Sequence, residues 1–334
     1  MIDVTQQPLG HLLMIGLPGL DLDDSTLALI REEGVHNFIL FRRNVRDREQ
    51  LRALCTSLRE ACLAHGLPRP LISIDQEGGR VARLPPPFTT FADPRQLAGV
   101  EDCRQRLTEY ATTCATELVE VGINMNLAPV LDICPAGEGL FMEHRCLGHD
   151  PKQVAELGCL VINGLQQAGV AACAKHFPGL GSAQLDPHLE LPVVDLPGAR
   201  LLAEDLVPFT QAMANKVAAV MTSHAVYADF DQELPGTLSG RLVDELLRRR
   251  CGYDGLVITD DMEMGAIEKF AGIAEVVVKA FMAGADLVLI CHDHDKIRRA
   301  LRALREAVAT GAITGARIAD SQRRQAEVLS WVAV

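Results

Sequence analysis

Short apolar segments alternate with longer amphipathic segments along the chain. Eight apolar segments end in polar residues or glycine and predict buried strands, at residues 11–17, 37–41, 70–75, 123–128, 171–176, 218–223, 255–259 and 286–291. Helical periodicity between and after them predicts helices at residues 47–65, 104–121, 151–167, 199–214, 239–250, 272–283, 295–310 and 314–332. Continuous apolar strands that alternate with helices are typical of a parallel sheet with both faces covered.

This alternation predicts an α/β fold, and eight strands favour a closed (β/α)8 TIM-type barrel. The alternative is a doubly wound open sheet, which would carry GxGxxG after its first strand. The segment Gly16-Leu17-Pro18-Gly19 matches that fingerprint poorly. The proline-rich segment 84–96 is short enough to be a barrel loop rather than a domain boundary. We therefore expect residues 1–334 to form a single (β/α)8 barrel domain.

Composition narrows the class of protein. The 334 residues are 48% hydrophobic and only 4% aromatic, which predicts a large aliphatic core, and the net charge of −12 argues against binding to nucleic acid. No segment reaches the roughly 18 apolar residues of a membrane span, and the first residues lack the basic region of a signal peptide. Ten cysteines without metal-like spacing indicate reduced core residues. We expect a soluble cytoplasmic protein.

Polar side chains accumulate where the predicted strands end, and strand ends form the active face of a barrel. Lys175 and His176 end the fifth strand, and Asp260 and Asp261 end the seventh. Lys175 could be a Schiff-base nucleophile or a hydrogen-bond donor to substrate hydroxyls. Asp260 could cap the following helix, but a residue at the strand end is aimed at a ligand, so we predict a functional carboxylate. Asp75, Arg83 and Arg145 follow the third and fourth strands.

A loop rich in proline and glycine follows Lys175 and His176 and carries Asp186 and His188. An Asp-Pro pair often starts a turn. Alternatively, the aspartate orients the histidine and raises its pKa, so that the histidine can transfer a proton near neutral pH. The segment 291–295 contains two histidines and two aspartates, but no further ligands with suitable spacing appear. We predict a solvated loop end there and no metal site.

Several stretches together resemble the glycoside hydrolase family 3 β-N-acetylhexosaminidases, bacterial enzymes of cell-wall recycling. They are IDQEGGRVAR (74–83), INMNLAPVLDI (123–133), HRCLGHDP (144–151), KHFPGLG (175–181) with DPH (186–188), VMTSHAVY (220–227) and GYDGLVITDDMEMGA (252–266). The chain departs from the family pattern at Cys146-Leu147, at Leu180 and at Pro187. The resemblance covers nearly the whole chain and is similar to the single-domain form of the family.

The resemblance implies a retaining (β/α)8 glycosidase that needs no metal or cofactor. Its nucleophile would be Asp260, its acid/base would be His188, and Asp186 would be the partner of that histidine. The positions that match sugar-binding residues of the family are Asp75, Arg83, Arg145, Lys175 and His176. The implied substrate is a small carbohydrate, an N-acetylglucosamine-containing muropeptide that loses its non-reducing sugar.

Three other functions stay open on the sequence. The same residues could serve a family 3 enzyme of other specificity, such as a β-glucosidase or a β-xylosidase. A Schiff-base lyase that uses Lys175 belongs to a different reaction class. A catalytically silent sugar-binding protein is the third, because the loop that carries Asp186 and His188 is altered at Pro187.

Overall fold

The architecture is a closed barrel of eight parallel strands in a computed structural model, which describes residues 8–183, 185 and 190–333. Eleven strands occur in these residues: β1 (Leu13–Gly16), β2 (Asn37–Leu40), β3 (Leu71–Ile74), β4 (Met125–Asn126), β5 (Ala171–Phe177), β6 (Val193–Val194), β7 (Ala219–Thr222), β8 (Val226–Tyr227), β9 (Asp231–Pro235), β10 (Leu256–Asp261) and β11 (Leu287–Ile290). The barrel order is β1-β2-β3-β4-β5-β7-β10-β11, and Leu13 of β1 pairs with Val288 of β11 to close it. The predicted barrel is confirmed.

Helices surround the barrel. Those of the described residues are α1 (Asp24–Glu33), α2 (Arg48–Ala64), α3 (Pro94–Ala98), α4 (Cys103–Val121), α5 (Pro151–Gln167), α6 (Gly198–Arg200), α7 (Leu206–Ala214), α8 (Gly265–Glu268), α9 (Ile273–Ala283), α10 (His294–Ala309) and α11 (Gly315–Leu329). Residues Leu201–Asp205 and Arg241–Arg250 have π-helical hydrogen bonding, and Gly10–Leu12, Arg42–Asn44 and Gly236–Leu238 form 3₁₀ turns. In this part of the chain, no helix has the length and apolar character required to span a membrane.

Alternation along the strands separates two layers of buried side chains. One cluster contains a side chain from each of the eight barrel strands, such as Met14 of β1 and Met221 of β7, and fills the barrel interior. The neighbouring positions, such as Leu13 and Ile15, belong to the larger cluster that packs against the helices. Val328 near the end of α11 joins the interior cluster. Because both faces of every strand are covered, the strands read as continuous apolar runs in the sequence.

The structure corrects two features of the predicted pattern. The strand predicted at residues 123–128 contains only Met125 and Asn126, because the side chains of Asn124 and Asn126 take hydrogen bonds that a longer ladder would supply. Asn124 Oδ1 accepts from the Ile72 N–H at 2.8 Å. The pattern also missed α1, whose signals are the Asp23 cap at its start and Gly34, with φ of 71°, at its end.

A small three-stranded sheet, β6-β8-β9, was not predicted either. Its strands follow β5 and β7 in the chain and contain only two to five residues. The Tyr227 hydroxyl in β8 donates a hydrogen bond to the Gly179 carbonyl at 3.0 Å. This sheet therefore contacts the loop that leaves β5.

Candidate active site

The carboxyl ends of the strands bring six of the eight predicted site residues to one mouth of the barrel. Lys175 and His176 belong to β5 and Asp260 belongs to β10, whereas the other three follow β3 or lie in the loop before α5: Asp75, Arg83 and Arg145. The predicted acid/base pair, Asp186 and His188, lies outside the described residues.

Lys175 is the centre of this group, and only 2% of it is exposed. Its Nζ donates to Asp75 Oδ1 at 2.8 Å and lies 2.7 Å from Glu77 Oε1. Burial works against the charged amine, but the two carboxylates outweigh it and raise the pKa of Lys175 above its ordinary value. A Schiff-base nucleophile needs a neutral amine, so this environment favours binding over covalent chemistry at Lys175.

Glu77 joins Lys175 to Arg145. The Arg145 Nε and Nη2 atoms donate to the two Glu77 oxygens at 2.9 and 2.7 Å, which is the two-pronged geometry of a strong charge-assisted pair. Burial would raise the pKa of Glu77, but Arg145 and Lys175 hold it well below its usual range. Burial likewise lowers the pKa of Arg145, and the Glu77 charge more than compensates. All three groups stay ionised.

His176 is oriented by Asp132. The His176 Nδ1 atom lies 2.7 Å from Asp132 Oδ2, and the His176 backbone N–H donates to the same carboxylate at 3.2 Å. With its Nδ1 proton donated to Asp132, the ring presents Nε2 to the mouth. There Nε2 lies 3.4 Å from Arg145 Nη2 and 4.0 Å from Asp260 Oδ2. The peptide bond between Lys175 and His176 is cis.

Asp260 is the second-last residue of β10 and lies near these cations. Its Oδ1 accepts a hydrogen bond from the Asp261 N–H at 2.8 Å. Burial would raise the pKa of Asp260, but the nearby His176 and His224, together with that N–H, lower it below the ordinary value. The carboxylate is therefore ionised near neutral pH, as a nucleophile or an electrostatic stabiliser of a cation must be.

Asp261 points away from Asp260, as expected for neighbouring positions in a strand. Its Oδ1 accepts from the Glu263 N–H at 3.1 Å, and its Oδ2 lies 3.7 Å from His292 Nε2. Burial raises the pKa of Asp261 to about 7. Two adjacent carboxyl groups thus have pKa values shifted in opposite directions.

Arg83 completes the group from the β3 side. Its Nη2 lies 3.5 Å from Asp75 Oδ2, and its guanidinium carbon lies 5.8 Å from the centre of the Phe41 ring. The Gln76 side chain accepts from the Arg83 backbone N–H at 2.8 Å and so fixes the loop on which Arg83 lies. Asp75 therefore has a cation on each carboxylate oxygen.

The segment after β11 has structural partners. Asp293 caps α10, and His294 Nδ1 lies 2.8 Å from the Ser25 hydroxyl. His292 Nδ1 lies 3.1 Å from Arg43 Nη1. Across the residues that the structure describes, no three His, Cys, Asp or Glu side chains converge in a way that could hold a metal ion.

Sequence reasoning missed Glu77 and Asp132 as site residues, although both are buried, at 3% and 0% exposure, and contact the predicted ligands. Glu77 lies in the polar stretch that follows β3, and Asp132 lies in the apolar stretch that follows β4. For Asp132, the carboxylate in an apolar stretch was the available signal, because a charge is buried only when a partner compensates for it.

A barrel that holds an ionised carboxylate among hydrogen-bonding cations at the carboxyl ends of its strands has the arrangement of a barrel enzyme. The sequence matches the family described as Glycosyl hydrolase family 3 N terminal domain over residues 4–328. A beta-hexosaminidase from Alkalilimnicola ehrlichii is 37% identical over 299 residues, which are 87% of this chain and 84% of that protein. The chain therefore belongs to glycosyl hydrolase family 3 and is a glycoside hydrolase.

Two solved structures are similar throughout this chain. A family 3 beta-N-acetylglucosaminidase from Paenibacillus has 40% identity and a TM-score of 0.91, and the match covers 96% of this chain and 61% of that one. The NagZ protein of Neisseria gonorrhoeae, in complex with N-trifluoroacetyl-D-glucosamine, has 28% identity and a TM-score of 0.77. That match covers 94% of this chain and 96% of the other.

Proposed function

We propose that this protein is a retaining exo-β-N-acetylglucosaminidase and that residues 1–334 act as one catalytic domain. The observation that carries the proposal is the ionised Asp260 carboxylate, 4.0 Å from His176 Nε2 at the same mouth as Lys175 and Arg145. A relative named a beta-hexosaminidase and a neighbour bound to an N-acylated glucosamine support the choice of sugar. The substrate is a muropeptide fragment of peptidoglycan that carries non-reducing N-acetylglucosamine.

The reaction proceeds in two displacements. The Asp260 carboxylate attacks the anomeric carbon while the protonated His188 ring, paired with Asp186, donates its proton to the glycosidic oxygen, and the aglycone leaves. The neutral His188 then takes a proton from water, which attacks the glycosyl-aspartate ester and releases the sugar and Asp260. Each step passes through a cation-like sugar, which the Asp260 charge stabilises.

The remaining predicted ligands hold the sugar. Lys175 and Arg145 present N–H donors from a buried ion cluster, and Asp75 is an acceptor for hydroxyl groups. Because these groups are fixed by one another before substrate arrives, little reorganisation is needed on binding. All ten cysteines have free thiols, which supports work in a reducing compartment such as the cytoplasm.

The first test compares nitrophenyl β-glycosides with and without the 2-acetamido group. We expect release of nitrophenol from the N-acetylglucosaminide, and preferred hydrolysis of the β-glucoside or β-xyloside would instead assign a different specificity. Asp260→Asn should lower kcat by about 10⁴-fold or more, because the covalent path is lost. The control is Asp320→Asn, which changes an exposed aspartate of α11. Unchanged turnover in Asp260→Asn would refute the mechanism.

The second test addresses retention. Proton NMR of the first product should show the β-anomer before it equilibrates, because two inversions at the anomeric carbon restore its configuration. A slowly released fluorinated glycoside should leave a sugar adduct on the peptide that contains Asp260. An α-anomer as first product would contradict the covalent intermediate.

The third test addresses the acid/base pair. His188→Ala should lower kcat by about 10²–10⁴-fold on a substrate with a sugar leaving group, because that oxygen needs a proton to depart. The loss should be smaller with nitrophenol, which leaves as an anion. The matched control is His149→Ala, which changes an exposed histidine. Equal losses on both substrates would argue against proton donation by His188.

A further inference from the structure

His224 is a buried histidine beside the mouth that the proposed reaction does not use. It follows β7 by two residues, and only 1% of it is exposed. Its Nε2 atom lies 3.0 Å from the Asp261 carbonyl oxygen. Because a carbonyl oxygen can only accept a hydrogen bond, Nε2 carries a proton and donates it. The His224 ring therefore links the end of β7 to the residue that follows the predicted nucleophile.

This link lies where the regular pairing of β10 is interrupted. Pairing of β10 with β7 ends at Thr259, and the register with β11 shifts between Ile258 and Asp261. Such irregularities occur beside active sites, where they re-aim a side chain. Asp260 lies within the interrupted stretch, and there a side chain, His224, supplies the hydrogen-bond donor for the backbone.

The Asp261 backbone transmits this restraint to Asp260. The Asp261 N–H donates to Asp260 Oδ1 at 2.8 Å, and the Asp261 carbonyl accepts from His224. The donor and the acceptor of this residue are thus both engaged, so its backbone cannot rotate without breaking one of the two bonds. The orientation of the Asp260 carboxylate therefore depends on the position of the His224 ring.

Thr237 holds the ring in place. Its Oγ1 atom lies 2.9 Å from His224 Nδ1, 3.0 Å from the Ser223 carbonyl oxygen and 2.8 Å from Thr222 Oγ1. The Thr237 backbone N–H also donates to the Ser223 carbonyl at 3.0 Å, which fixes the hydroxyl beside the histidine. All four residues are buried. A buried network with satisfied hydrogen bonds is rigid, so the ring is oriented before substrate arrives.

We propose that His224 is a positioning residue, whose bond to the Asp261 carbonyl keeps the Asp260 carboxylate directed at the anomeric carbon. This role rests on the proposed function, since it concerns the attack by Asp260. It is distinct from sugar binding, which Lys175 and Arg145 perform. Without the bond, the carboxylate turns away from the line of attack, and a misplacement of about 1 Å costs about 10²-fold in rate.

Two amide substitutions separate the two hydrogen bonds of the ring. The amide nitrogen of glutamine can occupy the position of Nε2, whereas the shorter asparagine reaches only the position of Nδ1. On the nitrophenyl N-acetylglucosaminide, we expect His224→Asn to lower kcat by about 100-fold and His224→Gln to restore it to within about threefold of the unmodified chain. A merely structural histidine would not show this order.

Two further measurements separate positioning from sugar binding. The rate at which a slowly released fluorinated glycoside labels the peptide that contains Asp260 should fall in parallel with kcat. The inhibition constant of free N-acetylglucosamine should hardly change, because Lys175 and Arg145 keep their partners.

The matched control is His36→Asn. His36 is also buried, its Nδ1 lies 2.9 Å from the Gly34 carbonyl oxygen, and it directly precedes β2 at the opposite end of the barrel. This variant should keep the kcat of the unmodified chain, even if its melting temperature falls.

Thr237 provides a second pair of variants in case the His224 variants fold poorly. Thr237→Val removes the hydroxyl that holds Nδ1 and should lower kcat by about 10-fold, because a buried ring nitrogen loses its partner. Thr237→Ser keeps the hydroxyl and should keep kcat. Melting temperatures show which variants are folded.

The positioning role is wrong if His224→Asn retains the full kcat and labelling rate, or if His224→Gln is as slow as His224→Asn. It is also wrong if the loss appears only in the inhibition constant of N-acetylglucosamine. An unmodified chain that cleaves no aryl glycoside and forms no adduct would refute the proposed function, and the positioning role with it. An active chain whose His224→Asn variant is unaffected would refute the positioning role alone.

Discussion

Glu77 is the residue on which the binding cluster depends, since it accepts hydrogen bonds from Arg145 and lies 2.7 Å from Lys175 Nζ. The three side chains come from the loops after β3 and β4 and from β5. A buried carboxylate between two cations compensates both charges at once, and the cations in turn keep it ionised. The positions of the two predicted sugar ligands therefore follow from a residue that need not touch the sugar.

Glu77→Gln should reduce both stability and activity. The amide cannot neutralise two buried cations, so we expect a loss of about 3–5 kcal/mol in the free energy of unfolding. The displaced Lys175 and Arg145 should also lower kcat/KM by about 100-fold. Urea unfolding and nitrophenyl glycoside kinetics measure the two effects. The control is Glu138→Gln at an exposed glutamate, and equal behaviour of the two variants would contradict the role given to Glu77.

A second prediction for a single residue concerns Asp261, because burial raises its pKa from 3.8 to about 7. The folded protein holds this proton at pH values where the unfolded chain has lost it, so the contribution of Asp261 to stability falls as pH rises from 3.8 through about 7. Asp261→Asn removes that loss and should stabilise the protein at pH 8 by about 4 kcal/mol. At acidic pH, near the lower pKa, the gain should vanish. Melting temperatures across this range measure the difference, and a gain that is independent of pH would refute the explanation.

Among the elements, the loop that leaves β5 has a tight backbone constraint. A Cβ atom at Gly181 would lie 2.1 Å from the Ile133 carbonyl oxygen, in the segment that follows Asp132. The loop thus packs directly against the strand-end segment that orients His176. Only a residue without a side chain permits this approach. This constraint does not depend on which residues follow in the loop towards Asp186 and His188.

Gly181→Ala should therefore displace the loop from Ile133. We expect a loss of about 1–3 kcal/mol in stability from the overpacked contact and a fall in kcat/KM of up to about 100-fold. Gly19→Ala is the matched control, because a Cβ there meets no atom within 4 Å. If the two alanine variants have the same kinetics and melting temperatures, the loop does not depend on this contact.

On the scale of the whole molecule, ion clusters lie at both ends of the barrel. Asp286, just before β11, is fully buried and accepts from Arg248, Arg317 and Arg324 at 2.5, 3.1 and 2.9 Å. Two of these arginines belong to α11, so Asp286 ties the last helix to the amino-terminal end of the barrel. The other end holds the cluster around Glu77. The amino-terminal end of the barrel therefore contributes to stability, whereas the opposite end holds the proposed active site.

Asp286→Asn should lower stability and leave the chemistry intact. Loss of a buried charge that faces three guanidinium groups should cost about 3–5 kcal/mol, whereas kcat per folded molecule should not change. Asp254→Asn removes an exposed partner of Arg323 and Arg324 and should cost less than about 1 kcal/mol. Urea unfolding and active-site titration together measure both quantities. A fall in kcat with unchanged stability would contradict this separation of roles.

Much of the fold follows from the sequence because burial on both faces of a parallel strand leaves a continuous apolar run. The eight runs predicted the eight barrel strands, and polar residues directly after them predicted which side chains lie at the mouth. Local signals failed where side chains replaced backbone bonds, as Asn124 does beside β4, and where the short helix α1 offered only its caps. In these places, contacts between distant segments decided the local structure.

The sequence by itself determined the barrel and six of the residues at its active end, since both depend on a local pattern of apolar and polar positions. Only the tertiary structure decided that Glu77 pairs with Arg145, 68 residues away, and that Asp132 orients His176, 44 residues away. Closure of the barrel places the ends of different strands side by side, and no periodicity along the chain records which side chains then meet.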